Sequence, residues 1–395
     1  MSRKATTRNA NGSGTIRQRK DGTWEARFTV CVDPGTGKQV RRSVYGKTQK
    51  EVRQKMTAAQ GEIDKGVYTE PSKLTVGKWL DIWLDEYTNG IKENTKATYC
   101  VQVKTHIKPQ IGAVRLSELK TIHVQAMVNK LARDPKKPLS PKSVKNVNGV
   151  LHKAMAQAVI LKYIPLNPCI GVQLPKVVKK DIKALEEDQI DAFLSAIKGS
   201  PYETILKVDL FTGMRQGEIM GLTWDRIDFK AGTILVDRQM IHEKQKGGKY
   251  KFATTKTGQV RKLRPMPAVM RILQQHKAVQ ARQRLAAGPA WVVEEGLEGL
   301  VFTDENGRHF ANSTLTHNVK HFGEMAGVKN LRFHDLRHTY AVSSIRAGDD
   351  IKTISSNLGH ATVSITLDVY AHYTEDMKKD SADRMEQYAA RFSNL

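Results

Sequence analysis

What this 395-residue sequence has little of narrows its class before any motif is read. Cysteine is nearly absent: Cys31, Cys100 and Cys169 are widely spaced and odd in number, which supplies neither a disulfide framework nor a zinc-binding pattern. A reducing, cytoplasmic setting is expected. Long hydrophobic runs are missing too. None reaches the ~18 residues of a membrane helix, and the opening stretch MSRKATTRNANGSG is basic and polar, with no apolar segment for export. These gaps count against a membrane protein and a secreted disulfide scaffold. Acid is the third shortage. With 40 Asp+Glu against 64 Lys+Arg, the formal charge is +24 and the pI about 9.8. That imbalance points to a polyanionic partner, nucleic acid ahead of a membrane surface.

What is present is enough apolar material, 39% of residues, to build a core in each of two or three domains. The charge is unevenly spread. Residues 1–74 carry 16 Lys+Arg against 7 Asp+Glu, residues 75–181 carry 18 against 7, and the remainder carries 30 against 26. The first two blocks read as binding surfaces and the third as a more balanced domain.

The patterning divides the chain at similar places. GTIRQR, TWEARFTVCV and KQVRRSVYG read as three short strands of one antiparallel sheet, separated by KDG and DPGTG turns. Trp24, Ala26, Phe28, Val30 and Val32 alternate onto one face, which a helix capped at Thr48–Glu51 and running to near Lys65 can cover. Arg17, Arg19, Arg27 and Arg41 then share the open face, either as a solvated charged surface or as a basic sheet shaped for a DNA major groove. Residues 1–70 form this domain, and GVYTEPSKL follows as a linker. From Thr75 the pattern turns helical: Val76, Trp79, Leu80, Trp83, Leu84 and Tyr87 make one broad apolar face. Further helices are expected over Thr95–Val103, Ile122–Ala132 and Ser140–Leu161, with lysines in the connecting segments KPQ and DPKKPLSPKSVK, giving an all-α domain over 75–165. Residues 166–185 read as an extended basic connector. Residues 186–395 read as a mainly helical α+β domain with a small sheet from GTILVDRQ, KYKFATTKT and VRKLRPMP.

Chemistry concentrates in this third domain. TGMRQGE puts Arg215 at a helix start with Glu218 one turn on, compatible with a surface ion pair or with a forked phosphate donor. In HDLRH, His334 and Arg337 share a helix face with His338 beside them. A permanent cation there, and Asp335 where a zinc helix would want glutamate, count against metal. A core helix with incidental histidines fits the same spacing. Finally, NLGHATVSITLDVYAHYT offers His360 and Tyr370. A phenol with a free pKa of about 10 attacks only with cations and a proton acceptor nearby.

Taken together and in this order, Arg215, His334, Arg337, His360 and Tyr370 closely resemble the tyrosine recombinases, the phage-integrase family, and the layout resembles integrases of conjugative transposons and temperate phages. The resemblance implies an arm-type DNA-binding sheet domain, a helical core-binding domain and a catalytic domain of the DNA breaking-rejoining type. It implies cleavage through a 3′-phosphotyrosine and a Holliday junction, without cofactor or metal. The two arginines would bind the phosphate, His334 would take the proton of Tyr370, His360 would add a hydrogen bond and Glu218 would orient its neighbours. It also implies a leaving-group lysine on a β-hairpin, which TTKTGQVRKLRPMP places at Lys256. Implied partners are core-type and arm-type duplex DNA, a homotetramer on two duplexes, and an excisionase or DNA-bending protein, in the bacterial cytosol or nucleoid. A C-terminal helix with Ala382, Met385, Ala389 and Phe392 on one face would pack on its own domain or on a neighbouring protomer. The rival readings are a type IB topoisomerase-like relaxation activity, a non-catalytic DNA-binding regulator and a metal-dependent nuclease.

Overall fold

The computed structural model describes residues 14–32, 35–64, 74–178, 184–243, 248–256, 258–360 and 362–370, with 382–383, 385–386 and 388–392 near the C-terminus. These residues fall into two compact units, 1–178 and 179–395. The expected basic start, the linker before Leu74 and residues 179–183 of the connector lie outside the described residues, as does Lys65.

In the first unit, β1 (Thr15–Gln18), β2 (Trp24–Val32) and β3 (Gln39–Gly46) pair antiparallel in the order β1-β2-β3. The helix α1 (Gln49–Asp64) covers one face, where Ala26 and Phe28 bury against Val52 and Met56. Its start is capped as the sequence predicts: Thr48 accepts the Glu51 N–H at 3.2 Å, and the Glu51 carboxylate reaches back to the Lys47 N–H at 2.9 Å. The expected covered position of Val32 is corrected. A bulge between Thr29 and Cys31 leaves Val30 without a partner on β3, the alternation flips beyond it, and Val32 is 57% exposed.

The helical part contains α2 (Val76–Glu86), α3 (Glu93–Gln102), α4 (Lys108–Ile111), α5 (Thr121–Ala132) and α6 (Pro141–Ile160). Trp79 and Trp83 of the predicted apolar face are core, whereas Tyr87, just past the end of α2, is 43% exposed; the Trp79 indole N–H donates to the Ala154 carbonyl at 3.0 Å, joining α2 to α6. The segment KPQ, expected as a connection, is helical instead. Pro109 has no N–H for the Thr105 carbonyl, and the chain accommodates it through a π turn over Val103–Ile107, in which the Lys108 N–H reaches the Val103 carbonyl. Part of the expected connector also belongs to this core. Cys169 is buried in it, and Val172 and Leu174 pack against it. Burial pushes the Cys169 thiol up to about 12.

The second unit opens with α7 (Glu187–Ile197), α8 (Glu203–Leu210) and the short α9 (Gln216–Met220). The predicted single sheet is divided. GTILVDRQ breaks at Asp237, whose carboxylate accepts from Arg226 at 2.9 Å, into β5 (Thr233–Val236) and β6 (Arg238–His242). Strand β5 pairs with β4 (Ile227–Asp228) and β8 (Arg261–Leu263), while β6 pairs with β7 (Tyr250–Thr254). Glycines let α9 lie directly on β6: a Cβ at Gly221 would stand 2.7 Å from the Met240 nitrogen. The helices α10 (Pro267–Ala287), α11 (Asn312–Met325), α12 (Phe333–Arg346), α13 (Ile351–Leu358) and α14 (Val363–Tyr370) complete the unit. Near the C-terminus Met385 and Phe392 are exposed. Among the described residues no helix is long and apolar enough to cross a membrane.

Candidate active site

Four separate segments meet around the C-terminal end of α13. The helix ends at Gly359, whose φ of +64° is the left-handed conformation glycine adopts most readily. The last carbonyls of a helix have no partner within it and carry its negative dipole end. Here three consecutive carbonyls each receive a guanidinium. Arg261 Nε donates to Asn357 O at 2.8 Å, an Arg337 terminal nitrogen to Leu358 O at 2.5 Å, and an Arg215 terminal nitrogen to Gly359 O at 2.9 Å.

Glu218 ties two of these arginines together. Its side chain has no exposed surface, and its two oxygens accept from Arg215 at 2.8 Å and from Arg261 at 3.1 and 2.6 Å. It also accepts the Arg215 backbone N–H at 2.9 Å, capping α9. Burial alone would raise its pKa. The hydrogen bond and charge of Arg261, followed by Arg215, outweigh that and hold it at about 2.

Arg337 is buried and bridges back to Gly213, donating to its carbonyl at 2.7 Å. Gly213 has φ +61°, and a Cβ there would lie 2.4 Å from the Tyr340 ring. Asp335, in the same HDLRH turn, is turned toward the start of α12, where it accepts the Arg332 N–H at 2.8 Å and pairs with its guanidinium. The rings of His334 and His338 meet edge to face with centroids 4.7 Å apart.

Both remaining imidazoles stand in a positive field. Burial, then the charges of His338, Arg337 and Arg215, lower His334 to about 4, with Asp335 opposing. Burial, then Arg337 and Arg215, lower His360 to about 4. Both are neutral at pH 7 and able to accept a proton. His360 Nδ1 lies 2.8 Å from the Thr366 hydroxyl, which ties α14 to the site, and Tyr370 closes α14 one turn beyond Thr366.

The structure therefore brings together Arg215, Glu218, His334, Arg337 and His360. Lys256 stands on the exposed turn between β7 and β8, two strands of different sheets, and not on a β-hairpin as expected; Thr255 braces that turn through the Gln259 carbonyl at 2.8 Å. The side chain of Tyr370 lies outside the described residues, as do His372 and Tyr373. Two buried groups went unassigned in the sequence. Arg261 sits five residues after Lys256, at the arginine of the strand pattern that places that lysine, but was assigned no role from the sequence. Asp209 in α8 is completely buried, and neither carboxylate oxygen has a hydrogen-bond partner among the described residues. Burial pushes its pKa well above 3.8, with Arg337 opposing and Glu218 adding to the rise.

Arg17, Arg27 and Arg41 do share the uncovered face of the N-terminal sheet, through the register Arg17–Glu25, Thr15–Arg27 and Thr29–Arg41. Arg17 is paired there with Glu25 at 2.8 Å, and Arg19 lies past the end of β1 with its guanidinium 5.5 Å from the centre of the Tyr45 ring.

Buried guanidiniums flanked by neutral imidazoles make a site for a phosphodiester, and the comparisons agree in class. Residues 183–377 match the phage integrase family, and residues 75–132 match its N-terminal SAM-like domain. A tyrosine recombinase XerC-like protein of Caldanaerobacter subterraneus subsp. tengcongensis is 29% identical over 93% of this chain and 97% of its own. The fold is shared with the Tn1549 transposon integrase in complex with a circular intermediate DNA (TM-score 0.67, 22% identity, 79% of this chain and 100% of that one). A lambda integrase tetramer bound to a Holliday junction shares it as well (TM-score 0.53, 19% identity, 90% and 97%). The chain belongs to the phage integrase family of tyrosine recombinases.

Proposed function

We propose that this recombinase integrates and excises a mobile element, with Tyr370 as the nucleophile. The observation that carries the reading is the convergence of Arg215 and Arg337 with His334 and His360 at the start of the segment leading into α14. Arg215 and Arg337 hold the non-bridging oxygens of the scissile phosphate and stabilise the charge that grows on them. His334 accepts the proton of Tyr370 as its oxygen bonds to phosphorus, and Lys256 protonates the departing 5′-oxygen. His360 donates a further hydrogen bond to the phosphate. Glu218 sets the direction of Arg215. A 5′-hydroxyl of the partner duplex then displaces the tyrosine, so one ester replaces another and neither ATP nor metal enters the balance.

The other domains follow the same reading. The open face of the N-terminal sheet, with Arg17, Arg27 and Arg41 and with Arg19 at its edge, contacts arm-type DNA, and the helical part of the first unit contacts the core site. Four protomers act on two duplexes, as the lambda integrase tetramer on a Holliday junction suggests. An excisionase or DNA-bending protein sets direction.

The test uses a nicked duplex carrying the joined ends of the element that encodes the protein. The wild-type chain is expected to form a covalent adduct in the presence of EDTA. Tyr370→Phe should bind the duplex and form no adduct, whereas Tyr373→Phe should still form it. Loss of the adduct with chelator, restored by a divalent metal, would overturn the chemistry. Relaxation of any supercoiled plasmid without joining of two defined sites would instead favour the topoisomerase-like reading.

A further inference from the structure

Arg261 carries a role that the five-residue catalytic pattern does not contain. It is held on β8, its side chain is 8% exposed, and it spends its fork on two targets: both oxygens of Glu218, and the carbonyl of Asn357 three residues before His360. We propose that Arg261 is a positioning residue, which fixes Arg215 through Glu218 and fixes the backbone bearing His360 through Asn357, without touching the DNA itself. The proposal rests on the recombinase reading above.

Two physical arguments support it. The first is charge. Arg215 and Glu218 alone would form a neutral pair, leaving Arg337 as the one net cation of this buried group. With Arg261 added, the trio Arg215–Glu218–Arg261 keeps one net positive charge beside Arg337, so the phosphate meets two. The second is geometry. A carboxylate with no exposed surface, bridged by two guanidiniums, has its orientation fixed on both sides, and Arg215 inherits that orientation through its 2.8 Å bond. The neighbouring Gly359 leaves room for this arrangement, since a Cβ there would stand 3.0 Å from an Arg261 nitrogen.

A lysine cannot reproduce the role, because one ammonium presents a point charge where a planar fork now bridges a carboxylate and a carbonyl. A misplaced catalytic group costs on the order of 10²-fold in rate. Arg261→Gln is therefore expected to slow adduct formation on the nicked duplex by about that factor. The slope of its affinity for the duplex against salt should stay as in the wild type, because no phosphate contact is lost. Arg261→Lys should fall between the two. If Arg261 works through Glu218, the double variant Glu218→Gln/Arg261→Gln should be no slower than the worse single variant, because both remove the same placement of Arg215. That double variant removes the buried carboxylate together with one guanidinium and keeps the net charge of the trio unchanged, so it keeps the test available if Arg261→Gln alone does not fold by thermal melt. A salt slope reduced by about one would mark Arg261 as a phosphate contact and sink the proposal. Singles that multiply in the double variant, or an unchanged rate in Arg261→Gln, would sink it too. Absence of the adduct in the wild-type chain would count against the recombinase chemistry and not against this role of Arg261.

Discussion

At the scale of single residues, the buried groups divide into those whose charge is matched and those whose charge is not. Glu218 is matched by two arginines and stays ionised to about pH 2. Asp209 has no hydrogen-bond donor among the described residues, and its pKa is pushed well above the ordinary 3.8. The folded chain then holds a proton that the unfolded chain has released, so stability falls as pH rises from 3.8 toward the folded value. Asp209→Asn, which keeps the shape and removes the charge, should melt about 2–4 °C above the wild type near neutral pH. The gap should close as pH falls toward 4. A lower melting temperature for the variant would mean instead that Asp209 serves as an ionised counter-charge to Arg337. At this scale the sequence pattern was informative for Arg215, Glu218, His334, Arg337 and His360, whose spacings are local. Arg261 and Asp209 were not readable, because a guanidinium on a strand and a carboxylate in a helix declare nothing until their neighbours are known.

At the scale of elements, the segment between α8 and α9 does the placing. Gly213 turns the chain with φ +61° and offers its carbonyl to Arg337 at 2.7 Å. Gly213→Ala adds both backbone strain and a methyl group 2.4 Å from the Tyr340 ring, and should destabilise the protein by about 1–3 kcal/mol. Gly149 provides the contrast, since it lies within α6 and a methyl group added there would meet nothing within 4 Å. Gly149→Ala should stabilise by about 0.5–1 kcal/mol. Thermal unfolding of the two variants side by side checks both signs. Periodicity located most helices, because apolar stripes such as that of α2 repeat at helical spacing. It misplaced Val32 and the KPQ segment for the same reason: a bulge and a π turn each shift the register by one residue, which a regular period does not reveal.

At the scale of the whole molecule, the N-terminal sheet owns a separate core. Ala26, Phe28, Val52 and Met56 form one cluster, and none of them belongs to the cluster built on Trp79 and Leu151. Removing residues 1–70 should leave the rest folded. Arm-site binding should disappear, while weaker core-site binding should remain and fall steeply with salt, as phosphate contacts release counterions. Retention of arm-site binding would move that role out of the sheet.

By itself, the sequence determined the class of partner, the order of the domains and most of the side chains that meet at the candidate site. Net charge, hydrophobic period and motif spacing are properties of the chain that survive without coordinates. Only the tertiary structure decided how those side chains are aimed. Arg215, Arg261 and Arg337 are up to 122 residues apart in numbering, yet they grip three consecutive carbonyls at the end of α13. Such a contact depends on where four segments meet in space, and no local spacing encodes it. The same meeting removes water from His334 and His360 and surrounds Glu218 with two guanidiniums, which is the physical reason the imidazoles stay neutral and the carboxylate stays ionised.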